Sequence, residues 1–354
     1  MKITKLSLKE EIIPLKTPFV TSIRSTDVMT DYVLEIETDE GVTGHGACAP
    51  TPLITGDTVG SIYCAINDFY APMLTGREVD ESILPDIQAK LYHNTSPKAA
   101  VDLAVYELLS LKNGLPLFEY LGGKKGDKHL KTDITISLEK KEKMVNDTVK
   151  AIEDGFSTIK IKLGRSKEED IDRIAALADV IPNNVVVRLD ANQGWGAKDA
   201  VEIIEFAVKK GLNIDLVEQP VMFYDLKGME FVTKNTEIKI LADESVFNVH
   251  DAEKIIENGA ADMINIKLMK CGGIYEGRKI FDLCSANNVE CMLGSMMEGA
   301  VSIASAAHFA AATGITRLDL DAPVLCKSIP QKMGTTFESE NIYINGGKNG
   351  LGIE

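Results

Sequence analysis

The feature that most constrains this chain is a repeat. Between about residue 130 and residue 322 one plan recurs: a short β-branched run, a charged residue at its end, then an amphipathic stretch closed by Gly or Asn. Strands are predicted at 132–137, 158–163, 185–190, 214–218, 238–242, 263–268, 289–293 and 317–320. Their ends, marked by Ser137, Lys162, Asp190, Glu218, Asp243, Lys267, Ser295 and Asp319, fall 24 to 28 residues apart. The helices between them show 3.6-residue periodicity. Val145, Val149 and Ile152 precede Gly155, and Val201, Ile204 and Val208 precede Gly211. Ser166 with Glu169 makes a capping box ahead of Ile171, Ile174 and Ala178. Eight regular units without a Gly-rich nucleotide turn after the first strand favour a closed barrel over an open doubly wound sheet. Ala322-Pro323 follows the eighth strand where a helix would start. The expected fold is therefore α/β, a (β/α)₇β TIM-like barrel over residues 126–322.

Residues 1–125 follow a different plan. Strand-like runs at 32–38 and 42–48 flank Asp39-Glu40-Gly41, a hairpin signal. Helical stretches are predicted within 58–74, 81–93 and 97–112, and a Gly- and Lys-rich linker at 122–131. Residues 341–345 read as a returning strand, so residues 323–354 are expected to rejoin an α+β capping domain. The net charge of −15, from 38 Lys and Arg against 53 Asp and Glu, argues against nucleic acid and anionic lipid as partners. The N-terminal residues lack a continuous apolar core, and no segment has eighteen consecutive apolar residues, so a soluble cytoplasmic protein is expected. Six cysteines without a C-x-x-C pair speak against a disulfide framework or a zinc site.

Several charges do not belong in a barrel core. Within the second predicted strand, period two puts Ile159, Ile161 and Leu163 toward the helices and Lys160 and Lys162 toward the lumen. Asn265 and Lys267 alternate in the same way with Ile264 and Ile266, and Asp319 and Asp321 with Leu318 and Leu320. Asp190, Glu218 and Asp243 end three adjacent strands. Taken singly, each is more readily a salt bridge or a solvated loop residue. Together, three carboxylates on neighbouring strands repel one another unless a divalent cation sits among them, and all-oxygen ligands point to Mg²⁺, with Mn²⁺ as a substitute. Lysines on facing strands over such a metal suit removal of the weakly acidic proton beside a carboxylate. The metal would stabilise the enediolate, one Lys would take the proton and the other return it from the opposite face. A Lys ordinarily titrates near 10.4, so the base needs its pKa lowered, and Lys160 beside Lys162, together with the nearby metal, is expected to supply like-charge pressure.

The ordered motifs K-x-K at 160–162, D-A-N at 190–192, V-E-Q-P at 217–220, A-D-E-S at 242–245 and N-x-K at 265–267 resemble the enolase superfamily in its muconate-lactonizing subgroup. The mandelate-racemase branch would place a catalytic His near the end of the seventh strand, where this chain has Leu293-Gly294-Ser295. D-x-D at Asp319 and Asp321 resembles the dipeptide epimerases, in which this pair holds the substrate ammonium. The resemblance implies a capping loop near residue 20, here 19–26 with Phe19 and Arg24, over the substrate side chain. Arg24 suits a Glu side chain, as in the L-Ala-D/L-Glu epimerases. Ile54, Thr135 and Ser295 are implied pocket residues.

The implied reaction is Mg²⁺-dependent epimerisation of a dipeptide, L-Ala-L-Glu to L-Ala-D-Glu, by two-lysine proton transfer. An o-succinylbenzoate synthase or cycloisomerase would share the scaffold, but its substrates have no ammonium for Asp319 and Asp321. A Schiff-base aldolase leaves the three carboxylates unexplained, and a non-catalytic scaffold would be expected to have lost a ligand or a lysine. Lys270-Cys271-Gly272-Gly273 reads as a turn into the next helix. Capped barrels often assemble, so a homo-oligomer is compatible with the sequence.

Overall fold

The computed structural model describes residues 1–328 and 334–353; residues 329–333 and 354 of the expected C-terminal segment lie outside the described residues. Three antiparallel strands, β1 (Ile3–Val20), β2 (Ser25–Thr38) and β3 (Thr43–Cys48), open the chain. The predicted hairpin turn is present, with Gly41 at φ +74° and its N–H donating to Thr38 O. Strand β1 was not anticipated from the sequence. It is an edge strand on which Ile3, Ile13 and Leu15 are the buried apolar residues, so its pattern lacks the alternation that marks a half-buried strand. Helix Thr95–Lys112 is buried along most of its length and lies against β3. A Cβ at Gly46 would stand 1.8 Å from Ala100 O, so only glycine permits this approach.

Strand β4 (Lys128–Lys131) occupies the end of the expected linker. The barrel strands follow: β5 (Ile134–Ile136), β6 (Thr158–Lys162), β7 (Val186–Asp190), β8 (Ile214–Glu218), β9 (Lys239–Ala242), β10 (Met263–Lys267), β11 (Glu290–Gly294) and β12 (Leu318–Asp319). They pair in parallel in sequence order, as the even spacing of their ends predicts. Ile159, Ile161 and Leu163 join the core between strands and helices, while Leu216, Leu241, Met263 and Met292 make a separate apolar cluster below the charged strand ends. The helical stripes sit slightly off the predicted ones. In helix Ala197–Lys209 the buried face is Ala200, Ile203, Ile204 and Ala207, and Val208 is exposed, because small alanines let the helix approach the sheet.

The ring closes between β12 and β5 mainly through side chains. Leu320 N–H donates to Thr132 Oγ1 at 2.8 Å, Thr135 N–H to Asp321 Oδ2 at 2.7 Å, and Arg188 Nη1 to Leu318 O at 2.8 Å.

The tail forms β13 (Thr335–Glu338) and β14 (Asn341–Ile344), and β14 pairs with β4 rather than with the N-terminal sheet. The chain then returns to the capping domain, where Leu117 N–H donates to Gly350 O and Leu351 N–H to Glu107 Oε1. Glu107 Oε2 also receives the backbone N–H of His45 and lies 2.9 Å from its Nδ1. This hydrogen bond outweighs partial burial and raises the imidazole pKa above its usual value. The stabilisation is thus full below the ordinary histidine pKa of about 6.5 and is lost as pH rises through the folded-state value. The wild-type Tm is therefore expected to fall more between pH 6 and pH 8.5 than that of His45→Gln; parallel melting curves would refute this. Among the described residues no helix is long and apolar enough to cross a membrane, and the six cysteines are unpaired.

Candidate active site and metal centre

The barrel strands deliver their charges to one layer at the mouth. Asp190 and Glu218 are register partners at the ends of β7 and β8, and Asp243 immediately follows β9. Lys160 and Lys162 come from β6, Lys267 from the end of β10, Asp319 from β12, and Asp321 two residues beyond. Every one of these side chains is buried.

The layer is held by lysine–carboxylate pairs. Lys162 Nζ donates to Asp190 Oδ2 at 2.6 Å, and Lys267 Nζ to Asp243 Oδ2 at 2.8 Å. Lys160 Nζ lies among three acids: 2.7 Å from Asp319, 3.0 Å from Asp190 and 2.6 Å from Glu218 Oε2. The last contact is an ion pair outside hydrogen-bonding geometry, since Glu218 Oε2 has no hydrogen-bond donor. Burial lowers Lys160, but Asp319, Glu218 and Asp190 around it raise it well above the ordinary lysine value. Lys270, read from sequence only as part of a turn, is fully buried. It donates to Asp243 Oδ1 at 2.6 Å and to the main-chain oxygens of Asp243 and Asn265.

Burial and pairing pull these groups in opposite directions. Burial raises the Asp190 and Asp243 carboxyls, but Lys162 and Lys160 for the first, and Lys267 and Lys270 for the second, outweigh it and hold both below the usual range. Glu218 is pushed up to about 7 by burial and by Asp190, and Glu244 to about 8 by burial and by Asp243. Burial lowers Lys267, yet Asp243 and Glu218 bring it above the ordinary lysine value. Asp321 rises to about 6 through burial and the neighbouring Asp319.

A cavity opens above this layer, between the barrel mouth and the capping domain. Lys162 and Lys267 line it together with Asp243, Asp319, Asp321, Thr135 and Ser295 from the barrel and Phe19, Arg24 and Ile54 from the cap. Lys160, Asp190 and Glu218 are not among its lining residues. The Phe19 ring centre stands 5.9 Å from Lys162 Nζ, and Ser295 Oγ donates to Asp319 O at 3.1 Å. Arg24 is half-buried, and burial draws its guanidinium below the usual range. Among the described residues no carboxylate forms an ion pair with it.

Sequence reasoning missed Thr21, Ile23, Asn192, Glu244, Met296 and Met297, which also line the cavity. Asn192 and Glu244 lay inside the D-A-N and A-D-E-S motifs and were legible there; the two methionines follow Ser295 without any periodic signal.

The donor set fits a hard divalent cation. Three carboxylates meet at neighbouring strand ends, and Glu244 Oε2, Asn192 Oδ1 and Asn265 Oδ1 beside them are buried without hydrogen-bond partners. Among the described residues, however, the carboxylates that each bring an oxygen within 4.8 Å of the others are Asp133, Asp319 and Asp321. The oxygens of Asp190, Glu218 and Asp243 are instead engaged by Lys160, Lys162, Lys267 and Lys270.

Comparison with known proteins agrees with this architecture. Residues 3–122 match the family model described as the mandelate racemase/muconate lactonizing enzyme N-terminal domain, and residues 143–354 that of the enolase C-terminal domain-like family. An L-Ala-D/L-Glu epimerase from Clostridium acetobutylicum is 44% identical over 97% of this chain and 96% of its own. The substrate-liganded structure of the L-Ala-D/L-Glu epimerase from Bacillus subtilis superposes with a TM-score of 0.96 at 42% identity, covering 100% of this chain and 99% of that one. A dipeptide epimerase from Enterococcus faecalis, solved with Mg and L-Leu-L-Tyr, has a TM-score of 0.94 at 36% identity, with both chains fully covered. By sequence, by fold and by the order of its strand-end motifs, the chain belongs to the enolase superfamily, in the muconate-lactonizing subgroup that includes the dipeptide epimerases.

Proposed function

We propose that this isomerase epimerises dipeptides at the α-carbon of the C-terminal residue with Mg²⁺ as cofactor, and that L-Ala-L-Glu to L-Ala-D-Glu is its favoured conversion. The observation that carries the reading is the entry of Lys162 and Lys267 into one cavity from β6 and β10. The acids Asp319 and Asp321 share that cavity, and Arg24, which has no acidic partner among the described residues, stands on its cap side. The names of the relatives reported above support the same activity.

Asp319 and Asp321 bind the substrate ammonium, and Arg24 takes the carboxylate of the Glu side chain. Asp190, Glu218 and Asp243 would hold the cation, which would supply Lewis-acid stabilisation of negative charge on the substrate carboxylate. One lysine removes the α-proton and the other delivers a proton to the opposite face, which inverts the centre. Lys160, pinned by three acids, acts as a fixed positive charge beneath the substrate. The cap residues Phe19 and Ile54 cover the site, while Thr135 and Ser295 set its wall. The oxygen ligands accept Mn²⁺ as a substitute, and the unpaired cysteines suit a cytoplasmic setting.

The direct test is incubation with Mg²⁺ and L-Ala-L-Glu in D₂O. Deuterium should enter only at the Glu α-carbon as L-Ala-D-Glu forms; an unlabelled product would rule out proton exchange with solvent-equilibrated lysines. Arg24→Ala should reduce kcat/KM for Ala-Glu by about tenfold more than for a dipeptide with an apolar second residue. Equal losses on the two substrates would remove Arg24 from the specificity argument.

A further inference from the structure

Below the Asp319–Asp321 pair lies a third acid. Asp133, immediately before β5, is 1% exposed, and one of its oxygens is within 4.8 Å of an oxygen of Asp319 and of Asp321. Its Oδ2 accepts from Arg188 Nη1 at 2.7 Å, whereas its Oδ1 has no hydrogen-bond partner. Arg188 and Lys160 contact this cluster directly, while Lys162 and Lys267, paired to Asp190 and Asp243, also act on Asp319. Arg188 is shared with Asp215 and the carbonyl of Leu318, and Lys160 is shared with Asp190 and Glu218. The cluster is thus short of positive charge at Asp321, which borders the cavity and, among the described residues, has no ion-pair partner. A neutral group there would leave buried carboxylates mutually exposed, which costs more in a dry site than at a surface.

We propose that Asp133 is a positioning residue of the ammonium site, the buried third charge that makes a cationic substrate terminus a requirement rather than a preference. This inference rests on the dipeptide reading above and deepens it. Asp319 and Asp321 lie at the cavity; Asp133 is not among its lining residues, and burial together with Asp319 pushes its carboxyl up while Arg188 at 2.7 Å favours the ionised form. Because Arg188 also donates to Leu318 O, beside Asp319, the Asp133–Arg188 pair fixes the strand that carries the first of the two acids. The free amino terminus belongs to the dipeptide reading already; what Asp133 adds is the strength of discrimination against N-acylated analogues.

The test compares the full-length Mg²⁺-loaded wild type with Asp133→Asn on L-Ala-L-Glu and N-acetyl-L-Ala-L-Glu. Dissociation constants are measured by calorimetry alongside kinetics. In the variant KM for the free dipeptide should rise about tenfold or more with kcat changed less than about threefold, and discrimination against the acetylated substrate should fall about tenfold. A merely structural role would lower kcat and weaken both ligands alike. If the lone substitution fails to fold because Arg188 loses its partner, Asp133→Asn/Arg188→Gln removes the pair together and is read against the same expectation. Undiminished discrimination in the folded variant overturns this inference alone. A wild type that neither binds nor epimerises any free dipeptide overturns the proposed function, and this inference with it.

Discussion

Lys162→Ala and Lys267→Ala should each lower epimerisation by at least about 1000-fold, near the upper range for loss of a positioned acid–base group. The two losses should differ in kind. In D₂O one variant should still exchange the α-proton of the L,L dipeptide and not of its epimer, and the other the reverse, because each retains the amine on one face. Both should fold. Asp190 keeps Lys160 when Lys162 is removed, and Asp243 keeps Lys270 when Lys267 is removed, so neither substitution strands an unpaired buried carboxylate. Appreciable turnover in both variants would refute the two-base assignment, as would loss of exchange on the same epimer in each.

Chelation should have an effect of similar size. Excess EDTA is expected to reduce turnover by at least about 1000-fold, since the cation supplies several kcal/mol of charge stabilisation to the reaction, and readdition of Mg²⁺ should restore it. Lys162 donates to Asp190 and Lys267 to Asp243, so two of the proposed ligands share their carboxylates with the two amines of the reaction. Binding of Mg²⁺ to the native state should also raise Tm in proportion to the logarithm of its concentration above Kd. Full activity with the metal stripped to trace levels would exclude the assignment of Asp190, Glu218 and Asp243 as ligands.

Much of this architecture was readable from the residues because it is periodic. The spacing of strand ends announced eight βα units, and alternation within residues 158–163 separated the lysines of the lumen from the isoleucines of the core. Elements lacking a period escaped. Strand β1 is an edge strand with few buried positions, and β4 is a short Lys- and His-bearing strand defined by its distant partner β14. Site residues were legible where a charge violated a core pattern, as at Lys160 and Asp319. Lys270 was missed because it sits on a short helix after β10, outside the alternation that makes a buried charge conspicuous. Asp133 precedes its strand, and its role depends on Arg188 from β7 and on Asp319 and Asp321 at the far end of the barrel sequence.

The side-chain closure between β12 and β5 has a consequence for how such a site can diversify. The oxygen of Asp321 that takes the Thr135 N–H belongs to a residue facing the pocket, so recognition of a substrate's head group and the seam of the barrel draw on one carboxylate. Exchanging that residue to admit a different terminus would loosen the joint that keeps the ring shut. The lid carries no such double duty: Arg24 and Ile54 can change without unpicking a strand, which leaves the distal side chain of the substrate as the freer variable over evolutionary time.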